Sequence, residues 1–426
     1  MKRNEIPFAV PIFFALLLAG LLPLGGCQSR QATAELTIAV NAGVEGDALK
    51  AAAADYQERF GVRMHVVELP YANLFEKQLV DLVSATGAYD VIMLDDPWFP
   101  RYVEDDRLTP LEPMFEQRGL PGPDPDFLPA CLAICRHPYQ SGQLFALPYV
   151  GNSQLFFYRQ DLFDKYGLEA PATWSEVLRA ARVISEGEAG MYGYVMRAAQ
   201  GNAVVADFMP LLWAFGAEMF DPDGNPAVSS PQGVAALEFM LELGRFTPPG
   251  YASFNADEVN AHLLQGTAAM SINWPAWVPA VDDPSKSRVI GKIAFAPMPG
   301  EKNSGVAEIG NWLLAIPRGS RNPERAFDFL LWATSAEQMK LSAARGNPPT
   351  RLSVFQDSEL LEQYRSYPVQ LESLRSSRPR PRTPRWNEVE NAFGIYLSKA
   401  NTGELSAAEA MQRANAEIAK IVKRQP

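Results

Sequence analysis

The chain has 426 residues, and its 38 Lys and Arg against 49 Asp and Glu give a formal net charge of −11. That acidic balance argues against nucleic acid or an anionic lipid surface as the main partner. The length exceeds what one hydrophobic core comfortably fills, so two lobes are expected.

The first residues bear on the compartment. Lys2 and Arg3 make a short basic start, and Phe8 to Leu22 is almost wholly apolar. That run is shorter than the ~20 residues a bilayer-spanning helix needs and suits the core of an export signal. Leu24-Gly25-Gly26-Cys27 follows. It resembles the lipobox of bacterial lipoprotein signals, which implies a signal peptide over residues 1–26 and acylation of Cys27. Residues 27–35 then read as a polar tether, holding the chain to a membrane on its periplasmic or exterior side. Gln28 stands where many lipoproteins carry the aspartate that keeps them at the inner membrane, a rule that varies among bacteria, so the choice of membrane stays open. No second apolar run approaches the first in length.

Leu36–Val40 alternates as a strand, 47–60 has helical spacing, and Val62–Glu68 reads as a second strand. Leu74–Ser84 is an amphipathic helix with Leu74, Leu79, Leu82 and Val83 on one side, and Asp90–Leu94 a buried strand. This βαβαβ order predicts a parallel sheet covered by helices. A second region follows. Gln154–Tyr158 is strand-like, and Thr173–Ile184 is a helix whose Thr173 and Glu176 form a capping-box signature. Further helices are expected at 233–244, 323–333 and 406–423. Arg378–Pro384 alternates Arg and Pro and cannot be helix interior. Cys131 and Cys135 are expected to bridge in an oxidising compartment, two buried thiols being the other reading. His65, His137 and His262 are too scattered for a zinc site, and no cofactor is expected.

The stretch Gly142 to Ile184 contains Gly-Gln-Leu-Phe-Ala-Leu-Pro-Tyr, then Leu-Phe-Phe-Tyr-Arg-Gln-Asp-Leu-Phe-Asp-Lys-Tyr-Gly, then Pro-Ala-Thr-Trp-Ser-Glu-Val. It resembles family 1 extracellular solute-binding proteins of the maltose- and trehalose-binding type. Other pieces follow in that family's order: Tyr89–Ile92 before Asp95-Asp96-Pro97-Trp98, Arg107–Leu111, Trp213–Gly216, Asn273-Trp274-Pro275, Gly310-Asn311-Trp312, and Arg378–Pro381 with Trp386. Arg107 replaces the glycine-like position of the family's turn. The resemblance spans about 36–423. It implies a two-lobed periplasmic-binding-protein fold, each lobe a mostly parallel sheet flanked by helices, joined by a hinge of crossing strands. Lobe one is expected at 36–150 and 291–317, lobe two at 151–290 and 318–426. The implied function is capture of a carbohydrate in the interlobe cleft by a monomer, and its delivery to the transmembrane subunits of an ABC importer. A sensor that presents the same closed form to a signalling partner is the alternative.

A sugar offers hydroxyl edges and an apolar face, which amides, carboxylates and aromatic rings match. Asp95, Asp96 and Trp98 lie just past the carboxyl end of a predicted parallel strand, where open α/β sheets bind ligands. Asn152 falls at the crossing into lobe two, Trp274 and Trp277 beside Asn273, and Trp312 at another strand start. Asn41 and Glu45 occupy the loop after the first strand. These nine are the candidate ligand contacts. Plainer readings stand beside them: a turn cap for Asp95 or Asp96, packing for Trp98 and Trp277, backbone service for Asn41 and Glu45. Tyr71 reads as a cleft residue or as a lid over its helix, and Arg380 as part of a rigid cover strand within reach of the ligand. An enzyme is not expected. Adjacent Asp95 and Asp96 would point to opposite faces of a strand, and no nucleophile elbow or phosphate loop occurs.

Overall fold

The computed structural model describes residues 34–423. The expected export signal, Cys27 and the expected tether as far as Thr33 lie outside the described residues. Strands Glu35–Asn41, Arg63–Leu69 and Val91–Asp95 run parallel, with helices Val44–Phe60 and Tyr71–Ser84 between them, as the alternation predicts. Two more strands complete the sheet, Trp312–Ala315 antiparallel between Val91–Asp95 and Ala146–Val150. Ile38, Ala39 and Val40 are all fully buried, because helices cover both faces of this sheet.

The second sheet differs from the expectation. Its three strands, Met270–Asn273, Leu155–Arg159 and Ile293–Ala296, pair antiparallel. They come from segments far apart in the chain rather than from successive βαβ units. Alternation along Leu155–Arg159 sends Leu155 and Phe157 to the core shared with the first lobe, and Phe156 and Tyr158 to a separate core around Trp174, Phe208 and Trp386. Thr173 caps its helix as expected: its Oγ1 accepts from Glu176 N at 3.2 Å, and the Glu176 carboxylate accepts from Thr173 N at 3.1 Å.

Three segments cross between the lobes, and two of the expected boundaries move. The first crossing follows Val150. The second lies at Glu308–Ile309 rather than near Gly291, because Ile293–Ala296 is a strand of the second sheet. Residues 318–376, expected in lobe two, begin with a helix that packs on lobe one. The apolar stripe of Pro323–Ala333 meets the first core there, with Phe329 5.1 Å from Tyr56 and Phe327 5.0 Å from Phe115. The Arg-Pro run is the third crossing, not a cover: Arg378–Pro379 pairs with Glu308–Ile309, while Ser153 bridges Ile309 on the other side. The chain then ends in lobe two with helices Trp386–Asn401 and Ala407–Lys423.

The expected Cys131–Cys135 bridge is not formed. Both are buried free thiols one helical turn apart, with Cys135 Sγ donating to the Cys131 carbonyl at 3.4 Å. They pack as small apolar groups, and burial pushes both thiols up, Cys131 to about 12. Among the described residues no helix is long and apolar enough to cross a membrane.

Candidate ligand-binding cleft

A cavity of about 850 Å³ opens where both lobes meet the crossing strands. From lobe one it receives the carboxyl ends of the parallel strands. Asn41 ends the first, and Gly46 lets the next helix begin directly against it, since a Cβ there would lie 1.7 Å from the Asn41 carbonyl oxygen. That close turn brings Glu45 into the cavity wall. Burial raises the Glu45 carboxyl, and Asn152, donating from Nδ2 at 3.5 Å, opposes the shift. Asn41 Oδ1 and Asn152 Oδ1 are buried without a protein partner, so a solute donor has two acceptors to find there.

Asp95 ends the third strand and lies in register with Trp312. Its Oδ2 accepts from Tyr71 Oη at 2.7 Å, and its Oδ1 accepts from Asp96 N at 3.0 Å and Arg380 Nη2 at 3.2 Å. Asp96 opens a short 3-10 turn, Asp96–Trp98, and shares Arg380 Nη2 with Asp95. It is fully buried, held by Arg380 at 2.8 Å and Arg382 at 3.1 Å, and does not line the cavity. Trp98 is also set back. It is 1% exposed, tilted against Tyr71 at 4.9 Å and edge-on to Trp312 at 5.8 Å, so it supports the aromatic wall from behind.

Lobe two contributes Trp274 and Trp277, both half-buried in the cavity lining. Asn273 shapes that turn, its Oδ1 accepting from Trp274 N at 2.9 Å and its Nδ2 donating to Asn260 at 2.7 Å. The Trp274 ring rests on the second crossing at Gly310, where a Cβ would come within 2.6 Å of Cη2. Seven of the nine expected residues thus meet in one cavity: Asn41, Glu45, Asp95, Asn152, Trp274, Trp277 and Trp312. Tyr71 and Arg380 line it too.

Sequence reasoning missed Arg197, Gln200, Asn202, Asn255 and Asp257 in the lining. One signal pointed to Arg197. Asp207 is the sole charged residue of the apolar helix Asn202–Ala214, and a buried carboxylate requires a cation nearby. Beneath the floor, Arg380 also approaches Glu308 at 3.5 Å and Glu390 at 4.0 Å. Four carboxylates therefore surround it, with Arg382 the second cation. Burial pushes Asp95 up to about 7 and Glu308 up to about 8, against the pull of Arg380.

Two lobes, three crossings and a mixed aromatic and polar cleft at the hinge define a binding protein that closes around a small molecule. Residues 42–340 match the bacterial extracellular solute-binding protein family, and the chain belongs to that family. It is similar to the mannitol-binding protein of Pseudomonas aeruginosa, 31% identical over 66% of this chain and 70% of that one. It is also similar to a probable amino-acid ABC transporter periplasmic-binding protein of Sinorhizobium fredii, 28% identical over 78% of this chain and 76% of that one. Among solved structures, the ribitol complex of an ABC transporter solute-binding protein from Agrobacterium radiobacter superposes with a TM-score of 0.85 at 26% identity, covering 91% of this chain and 98% of that one. Maltose-bound T. maritima MalE3 gives 0.82 at 27%, covering 90% and 99%. The family and these neighbours are binding proteins, and the chain is not an enzyme.

Proposed function

We propose that this protein captures a carbohydrate or polyol in the cleft and hands it to the transmembrane subunits of an ABC importer. The observation that carries the reading is the cavity itself. Tyr71 and Trp312 from lobe one and Trp274 from lobe two offer rings to an apolar sugar face, while Asn41, Glu45 and Asp95 of lobe one and Asn152 of the hinge offer acceptors to hydroxyls. A solute touching all three parts stabilises the closed arrangement, and the importer reads that arrangement. The relatives' mannitol, ribitol and maltose support the class of solute. A thermal-shift screen with D-mannitol, ribitol, maltose and sugar acids tests it. A solute at 100 times its Kd adds ~2.7 kcal/mol to stability. Trp274→Ala is expected to weaken the best binder by about 10- to 100-fold, 1.4 kcal/mol per factor of ten. Unchanged affinity would remove Trp274 from the contact set.

The protein is further proposed to act as a monomer held to the membrane by acyl chains on Cys27, a reading supported by the lipobox-like Leu24–Cys27. Cys27→Ser is expected to move it from the membrane fraction to the soluble fraction on cell fractionation; retention in the membrane would overturn the anchor.

A further inference from the structure

Arg197 and Asp207 form a buried ion pair that stability alone does not explain. Their side chains are 5% and 2% exposed. Arg197 N donates to Asp207 Oδ2 at 2.8 Å and Nε to Oδ1 at 2.7 Å, with Nη2 2.5 Å from the same oxygen. Taking two charges out of water is costly, and apolar residues of similar volume often serve a core as well or better. Every other residue from Ala203 to Ala214 is apolar and buried, so the helix could bury one more at position 207.

The pair does set the direction of a guanidinium. Asp207 grips Arg197 from the helix side, and the far side faces the cleft, whose wall Arg197 forms together with Trp274. The Arg197 Cζ stands 5.4 Å from the Trp274 ring centroid. The same ring is stopped at the hinge by Gly310, which has no Cβ to displace it. Arg197 Nε and Nη2 are both turned to Asp207, Nη2 buried beside its Oδ1, whereas Nη1 makes no hydrogen bond among the described residues. A fixed donor with an unfilled N–H beside a fixed aromatic ring can read one solute oxygen at a set distance from the stacked face.

We infer that Arg197 is a specificity-determining ligand contact, oriented by Asp207, that donates to an oxygen at the edge of the solute face stacked on Trp274. The inference rests on the carbohydrate reading of the cleft and adds to it the residue that chooses among polyhydroxy solutes. Asp207 is a positioning residue: it touches Arg197 rather than the solute.

The test uses the full chain and isothermal titration with D-mannitol, ribitol and maltose, followed by the monodeoxy analogues of the best binder. The variant Arg197→Gln/Asp207→Asn removes both charges together, so no uncompensated ion is left in the core. Arg197→Lys is the second variant; it keeps the charge on Asp207 and loses the planar fork. Each variant is expected to bind the parent solute about 10- to 100-fold more weakly, the span of one hydrogen bond to a charged group. One monodeoxy analogue, the one lacking the contacted oxygen, should bind variants and wild type alike. If parent and all analogues weaken equally, Arg197 only shapes the wall and the inference is wrong. It is equally overturned if the parent binds the variants undiminished. A wild type that binds none of the three solutes overturns the carbohydrate reading and this inference with it.

Discussion

Arg380→Ala is expected to destabilise the protein by about 3–5 kcal/mol, the cost of removing one partner from a buried charge network. The side chain is 2% exposed and is the nearest cation to Asp95, Asp96, Glu308 and Glu390. Arg382 reaches only Asp96 among these, at 3.1 Å. Without Arg380, Asp95 and Glu390 lose their cation and must take up protons or water must enter, while Glu308 already holds its proton below about pH 8. The four acids also belong to different parts of the molecule. Asp95 and Asp96 follow a strand of lobe one, Glu308 lies in the second crossing, and Glu390 sits on helix Trp386–Asn401 of lobe two. The guanidinium therefore ties the hinge to both lobes. Urea unfolding gives the measurement, as a shift in midpoint. The exposed pair Arg318–Asp106 serves as control, and its loss is expected to cost under ~1 kcal/mol. Equal midpoint shifts for the two would mean that water already satisfies the hinge network.

The same network shows what a sequence can and cannot tell. The strand Val91–Asp95 was legible because a parallel strand covered on both faces is a continuous apolar run. The expectation that Asp95 and Asp96 point to opposite faces does not hold, because the strand ends at Asp95, Asp96 opens a 3-10 turn, and both accept from Arg380 Nη2. Asp95 lines the cleft while Asp96 lies behind it, held also by Arg382, a tertiary contact 286 residues further on. Trp98 and Trp312 both stood as candidate contacts, Trp98 after Pro97 beyond a strand end and Trp312 after Asn311 at a strand start, and only packing against Tyr71 and Phe75 sets Trp98 behind the wall. The second sheet was less legible. Leu155–Arg159 reads as a strand, but its partners at 270–273 and 293–296 lie more than a hundred residues away, and nothing local announces an antiparallel pairing. Helix Pro323–Ala333 was recognised from its period yet placed in the wrong lobe, because an apolar stripe states that it will be buried and not against what. The Arg-Pro run was correctly kept out of a helix. Its role as a crossing needed Glu308–Ile309 beside it.

Glu308→Gln is expected to flatten the fall of stability with rising pH. Glu308 is fully buried, and neither carboxyl oxygen has a hydrogen-bond partner. Burial pushes its carboxyl up to about 8; Arg380 opposes this, while Glu390 and Asp96 add to it. The sign follows from proton counts. Between the ordinary carboxylate range near pH 4.5 and about pH 8, the folded protein keeps a proton on Glu308 that the unfolded chain has released. The contribution is therefore complete below the unfolded value and is lost as pH rises through the folded one, at up to about 1.4 kcal/mol per pH unit for one proton. Asp95, raised to about 7, acts in the same direction over a lower window. Glutamine copies the neutral, protonated shape of Glu308 and cannot ionise. Wild type and variant should therefore have similar urea midpoints at pH 5, and the variant should be the more stable by several kcal/mol at pH 9. Exposed carboxylates such as Asp124, held low by backbone and Arg351 hydrogen bonds, contribute equally to both proteins and cancel in the difference. Parallel pH profiles for the two would show that Glu308 is ionised in the folded protein. The buried cluster would then hold four negative charges against two positive ones, and Arg380→Ala would be more damaging still.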